Sequence, residues 1–177
     1  MKWKTIDENF IHKSGFMNVK IDTASHPKLG VHQFYRVEMA NWVNVVAIDK
    51  NDAFILVKQF RHGTKKVTYE VPAGAIDNGE TPKEAAIREL QEETGYIGNP
   101  VYLGKVEVNP AFLNNFCYLY LMLDCQMLAT QNLDLTEDIE IIHLNKKTVQ
   151  DMLANECISH SLTCLALYKA FEYINKK

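Results

Sequence analysis

What this chain lacks narrows its reading first. Its four cysteines, Cys117, Cys125, Cys157 and Cys164, include no CxxC pair, so His160 between the last two has no partner pair to complete a zinc site. Cys117 and Cys164 lie in apolar stretches, where a thiol serves as a small hydrophobe. No apolar run approaches the roughly 20 residues that span a bilayer. Met1 to Phe10 mixes Lys2, Lys4, Asp7 and Glu8 with apolar residues and forms no signal-peptide core. A reduced, cytoplasmic setting without membrane contact is the expectation. Charge of one sign is scarce too: a net charge of -3 gives no general attraction to nucleic acid or anionic lipid. Bound cations can still reverse the local field for a phosphorylated substrate. There is no internal repeat, no low-complexity tract and no linker rich in Pro, Gly or Ser, which points to one domain over residues 1–177. At 47% apolar and 23% charged, a chain of 177 residues buries a core without disulfides.

The first half reads as strands. Val31 to Met39 alternates and carries aromatic and β-branched residues. Trp42 to Ile48 and Ala53 to Phe60 are apolar runs joined by Asp49-Lys50-Asn51-Asp52, turn chemistry that predicts a hairpin. Val67 to Val71 is a further short strand, halted at Pro72-Ala73-Gly74. Thr81-Pro82-Lys83-Glu84 supplies an N-cap threonine, a proline at the first helical position and a capping-box glutamate, and Gly95 closes that helix as its C′ residue. Strands resume near Val101 to Val108 and Phe116 to Leu123. After the polar stretch Gln131 to Asp138, Ile139 to Leu144 is a last strand, and Lys147 to Asn155 and Ser159 to Ile174 read as helices. This order makes an α+β layered domain.

On a wheel of 3.6 residues per turn, Glu89, Glu92 and Glu93 fall on one side of the Pro82 to Thr94 helix, shared only with Pro82, Ala85 and Ala86. Ile87, Leu90 and Thr94 form a narrow apolar stripe apart from them. Like charges at such spacing cost roughly 0.2–0.5 kcal/mol per pair. A divalent cation removes that repulsion, and carboxylate oxygens are what magnesium or manganese prefers. The two alanines are expected to leave room for metal and phosphate. Arg88, four residues from both Glu84 and Glu92, can hold a carboxylate in a fixed orientation. A solvated, charged helix face explains the cluster equally well when it is taken alone.

The surrounding spacing decides between these readings. Gly74, Glu80 six residues on, and Arg88-Glu89-Leu90-Gln91-Glu92-Glu93-Thr94-Gly95 reproduce the Nudix box at every fixed position, with Tyr96 at the final aliphatic place as the one soft departure. Trp42-Val43-Asn44-Val45-Val46, Gln59-Phe60-Arg61-His62-Gly63, Glu70-Val71-Pro72-Ala73-Gly74 and Asn109-Pro110 resemble the ADP-ribose and nucleoside-diphosphate-sugar pyrophosphatase branch. Ala111-Phe112-Leu113-Asn114-Asn115 follows that proline where the ADP-ribose version tends to glycine and acidic residues, which shifts weight toward nucleotide sugars or a related diphosphate.

The resemblance implies a Nudix-like α/β/α sandwich with a mixed sheet, antiparallel strands in residues 1–40 and C-terminal helices. It implies water attack on one phosphorus of a nucleoside diphosphate linked to another moiety, giving a nucleoside monophosphate and a sugar phosphate. It implies Mg2+, or Mn2+, on Glu89, Glu92, Glu93 and the Ala73 carbonyl, with Glu80 and Arg88 supporting the loop and helix. The general base is open among Glu92, Glu93 and the later loop, where Glu137 precedes Glu140 in preference. Arg61 is the expected phosphate contact through its planar fork. Trp42, Phe60, Tyr69 and Phe112 either stack on a base or belong to the core. A homodimer through the N-terminal strands is implied by relatives of this kind. The rival readings are a Nudix-like binding or regulatory domain without hydrolysis, a nucleoside triphosphate pyrophosphohydrolase, and an isomerase on the same scaffold, whose chemistry needs a cysteine acid.

Overall fold

The computed structural model describes residues 2–176. Two compact units arise, Met1–Asn41 with Val106–Phe116, and Trp42–Lys105 with Cys117–Lys177. In the first, β1 (Lys4–Lys13), β2 (Met17–His26) and β3 (Gly30–Met39) form an antiparallel meander. Arg36 ties the three strands together: its guanidinium reaches Asp22 at 2.6 Å, Glu38 at 2.6 Å and Glu8 at 3.0 Å. The segment after residue 106 joins the same unit, because the Val37 amide donates to the Phe112 carbonyl at 2.7 Å and the Asn114 amide to the Val37 carbonyl at 3.3 Å.

The second unit is built on a mixed seven-stranded sheet. Its elements are β4 (Trp42–Asp49), β5 (Phe54–Arg61), β6 (Lys66–Glu70), β7 (Ala73–Ala75), α1 (Pro82–Thr94), β8 (Tyr96–Glu107), β9 (Phe116–Met127), β10 (Ile139–Leu144), α2 (Lys146–Ala154) and α3 (Ser161–Asn175). The strand order is β10-β5-β4-β9-β8, with β6 on β5 and β7 on β4. The predicted hairpin turns on Asp49, whose carboxylate accepts from the amides of Asn51 at 2.8 Å and Ala53 at 2.9 Å. β4 and β9 run parallel, Val45 opposite Tyr120 and Ala47 opposite Met122.

Alternation along β4 sorts the two faces. Val43, Val45 and Ala47 join Ile55, Tyr120 and Met122 in a core against Ala85, Ala86 and Leu90 of α1. The opposite face meets α3, where the rings of Phe54 and Phe171 lie 5.5 Å apart. Burying each large apolar side chain contributes about 1.5–3 kcal/mol relative to exposure. Helices on both faces of a mixed sheet give the α/β/α sandwich.

Candidate active site

The sheet opens where the chemistry gathers. β4 pairs with β5 only at Ala47 and Ile48, while Trp42 to Asn44 pair with β7 and Val57 to Arg61 pair with β6. The crossing stretch Val71-Pro72 is held by the Val45 amide, which donates to the Pro72 carbonyl at 2.8 Å. Strand β7, just three residues long, delivers Ala73 and Gly74 beneath α1. An ideal Cβ on Gly74 would lie 2.1 Å from Glu89 Oε1, so only glycine lets this backbone pass the carboxylate.

The α1 helix starts and stops as its sequence dictates. Thr81 accepts from the Glu84 amide while Glu84 accepts from the Thr81 amide at 2.8 Å, and Gly95 ends the helix at φ 74°. Arg88 is the organising cation. It grips Glu80 with two hydrogen bonds of 2.9 Å, and reaches Glu89 at 2.8 Å, Glu92 at 2.9 Å and the Ala75 carbonyl at 2.9 Å. The Ala73 amide donates to Glu93 at 3.1 Å. Glu89, Glu92 and Glu93 thus share a helix side as read from the wheel, and Arg88 and Glu80 brace it. Ala85 and Ala86 do not leave room for metal or phosphate, contrary to the wheel reading. Both have no exposed surface and sit in the core, so their small size lets α1 approach the sheet.

Burial sets the electrostatics. Glu93 is 3% exposed, and desolvation, with Glu89 nearby, holds its carboxyl well above the ordinary range. Burial likewise pushes Glu89 up to about 7, against the opposing pull of Arg88. Two desolvated carboxylates with one guanidinium between three acids form a site short of positive charge. Among the described residues no three His, Cys, Asp or Glu side chains already form a metal cluster. The donor chemistry and the charge deficit nevertheless suit a hard divalent cation on Glu89, Glu92 and Glu93. On its outer side Glu92 borders a cleft of about 480 Å³, shared with Glu80, Arg88, Gln91 and Asn132.

The end of α1 also fixes the loop that carries Glu137. Gln131 Nε2 donates to the Glu93 carbonyl at 2.7 Å and to the Ile139 carbonyl at 3.1 Å, and the Asn132 amide donates to the Glu92 carbonyl at 2.9 Å. The charge of Glu137 acts on both Glu89 and Glu93. Glu140 instead pairs with Lys58 at 2.7 Å, opposite it in the β10–β5 register. Arg61 does not extend freely into solvent: it forms a two-pronged pair with Glu70, at 2.8 and 2.6 Å. Glu70, its hydrogen-bonded neighbour Thr68 and His160 were not singled out by the sequence reading in this role. Among the aromatics, Phe60 and Phe112 are exposed. Cys117 and Cys125 are buried in the sheet, and burial pushes Cys117 up to about 12, a poor acid for the isomerase reading.

Residues 40–146 match the NUDIX domain, and the chain belongs to that family, whose members generally need divalent metal ions. Its likeness runs to the ADP-ribose pyrophosphatase branch, and the protein is a pyrophosphatase. It is 28% identical over 151 residues to an ADP-ribose pyrophosphatase of Bacillus subtilis, covering 85% of this chain and 80% of that one. It is 27% identical over 166 residues to a methanol dehydrogenase activator of Bacillus methanolicus, covering 93% and 90%. A crystal structure of an ADP compounds hydrolase shares the fold at a TM-score of 0.88 with 21% identity, covering 99% of this chain and 96% of that chain. No described helix is long and apolar enough to cross a membrane.

Proposed function

We propose that the protein hydrolyses nucleotide sugars or ADP-ribose at the central diphosphate, releasing a nucleoside monophosphate and a sugar phosphate, with Mg2+ as its ion and Mn2+ able to replace it. One observation carries this reading: Glu89, Glu92 and Glu93 lie on one helix beside the Ala73-Gly74 backbone, under a single bracing arginine. The likeness to a relative named ADP-ribose pyrophosphatase supports the substrate class.

Water's oxygen bonds to one phosphorus as the bridging P–O bond breaks, and the water proton passes to a carboxylate. We assign that base to Glu137, whose charge acts on the cluster and whose loop is pinned to α1, with Glu92 and Glu93 the other carboxylates in reach of the role. When bound, the divalent ion neutralises the diphosphate and lowers the pKa of the attacking water. Glu89, Glu92, Glu93 and the Ala73 carbonyl would hold it. Arg88 fixes Glu89 and Glu92 before substrate arrives, and Arg61 meets a phosphate with the exposed edge of its guanidinium. A mid-chain diphosphate carries organic groups on both sides, and binding both positions the phosphorus better than a triphosphate allows.

We read residues 1–177 as one functional NUDIX unit acting in the cytoplasm as a homodimer through its N-terminal strands. Exposed Ile6, Phe10, Val31, Phe34 and Tyr35 on those strands support that pairing. The test is a Mg2+-supported panel of ADP-ribose, UDP-, GDP- and ADP-sugars and nucleoside triphosphates. Faster cleavage of a diphosphate-linked nucleoside supports the proposal; a faster triphosphate makes it a triphosphate pyrophosphohydrolase, and binding without turnover a regulatory domain.

A further inference from the structure

Arg61 stands at the end of β5, opposite Lys66 and beside the turn at Gly63. Val57, Gln59 and Arg61 alternate onto one face with their partners Glu70, Thr68 and Lys66. Ile55, two residues earlier on that face, packs with α1, so Arg61 lies on the side of the sheet that the box helix covers. An arginine at a hairpin end has solvent as its default. This one doubles back along its strand, past Thr68, to reach Glu70 with Nε at 2.8 Å and Nη2 at 2.6 Å.

Glu70 is built to hold it. The carboxylate has no exposed surface. Thr68 donates to Oε1 at 2.6 Å, and His160 Nδ1 lies 3.6 Å from Oε2 while bonded to Thr163 Oγ1 at 3.0 Å. Thr163 Oγ1 also accepts from the Val71 amide at 3.4 Å. Breaking such a pair from one side leaves a buried charge uncompensated, so the carboxylate cannot swing away cheaply. Three residues downstream, the Ala73 amide binds Glu93. One short run therefore aims Arg61 and fixes a box glutamate.

The pair is lopsided in exposure: the Arg61 side chain is 37% exposed and its partner 0%. Among the described residues Arg61 Nη1 has no hydrogen-bond partner, which leaves one edge of the guanidinium open. A pair that served the fold alone would not need its cation held part-exposed on the side of the sheet that the box helix covers. We infer that Glu70 is the positioning residue for Arg61, turning its free edge toward the substrate diphosphate; this rests on the diphosphate hydrolysis proposed above.

The test is Glu70→Gln alone and in an Arg61→Ala background. Turnover of ADP-ribose with Mg2+, ADP-ribose affinity by calorimetry in EDTA, and melting temperature are read together. Misplacing a positioning group costs roughly 10- to 100-fold. Glu70→Gln should therefore lower kcat/KM by that factor, mainly through KM, and weaken binding in EDTA in step. With Arg61 already removed, it should cost nothing further. If Glu70→Gln does not fold, Glu70→Asp keeps the buried charge and shortens its reach, and the same kinetic loss is expected. Unchanged kinetics and affinity, or a loss that multiplies fully with Arg61→Ala, overturns the role. A wild-type enzyme that cleaves no diphosphate-linked nucleoside overturns the proposed function instead, and the affinities in EDTA still read the contribution of Glu70.

Discussion

A methyl group at position 74 meets the Glu89 carboxylate before anything else, at 2.1 Å from one oxygen and 2.3 Å from the other. Gly74→Ala must therefore push Glu89 aside, and a displacement of that kind at a reacting centre costs about 100-fold. Kinetics of that variant, with the melting temperature as a control for folding, check it. Glu93→Gln removes a buried charge without changing shape. Turnover should fall by orders of magnitude while the metal-free fold melts no lower, because the ionised form is the one burial disfavours. Glu89 adds a pH signature. Its folded value of about 7 stands above the ordinary 4.5, so the unfolded chain ionises first. The stability it contributes is full below about 4.5 and is lost as pH rises through about 7. Melting of the metal-free protein should thus drop across that window, and Glu89→Gln should flatten the drop. A pH-independent melting temperature in wild type refutes this. The carboxylates themselves were legible, since spacing on a helix is a sequence property. The Arg61–Glu70 pair was not, because it depends on a β5–β6 register that brings residues nine apart together on one face.

At the scale of elements, the box helix is the part most fully written in the sequence. Threonine cap, proline, capping-box glutamate and closing glycine all act as read, and the helix runs Pro82–Thr94. Thr81→Ala should cost about 1 kcal/mol of stability, since it strips one orphan amide of its acceptor. Thr81 lies outside the carboxylate cluster, so denaturation midpoints should shift with kcat nearly constant. A loss of kcat without loss of stability would count against this assignment. The hairpin from Trp42 was legible for a similar reason, through Asp49 and its turn. β7 was not expected at all, and β1 was expected only through the resemblance, which implies antiparallel strands in residues 1–40. β7 follows Pro72 and spans three residues, too short for any periodicity, and exists because the box loop must lie against β4. β1 is exposed along its whole length, so no buried face writes an alternating pattern into it. The alanines of α1 were misread because a wheel shows which residues share a side but not what that side packs against.

For the whole molecule, two matters remain to be measured: assembly and reaction. Sedimentation should give a dimer at micromolar concentration, and Phe10→Asp, placed on the exposed N-terminal sheet, should shift it toward monomer; a wild-type monomer refutes the pairing. The reaction is the more direct test of what the box helix is for. Purified protein with Mg2+ and either ADP-ribose or a nucleotide sugar should release a nucleoside monophosphate and a sugar phosphate in equal amounts. Chelator should stop the release, and Glu93→Gln should reduce it by orders of magnitude. Cleavage that persists undiminished in chelator and in Glu93→Gln, or faster hydrolysis of a nucleoside triphosphate than of every diphosphate-linked nucleoside, would contradict it.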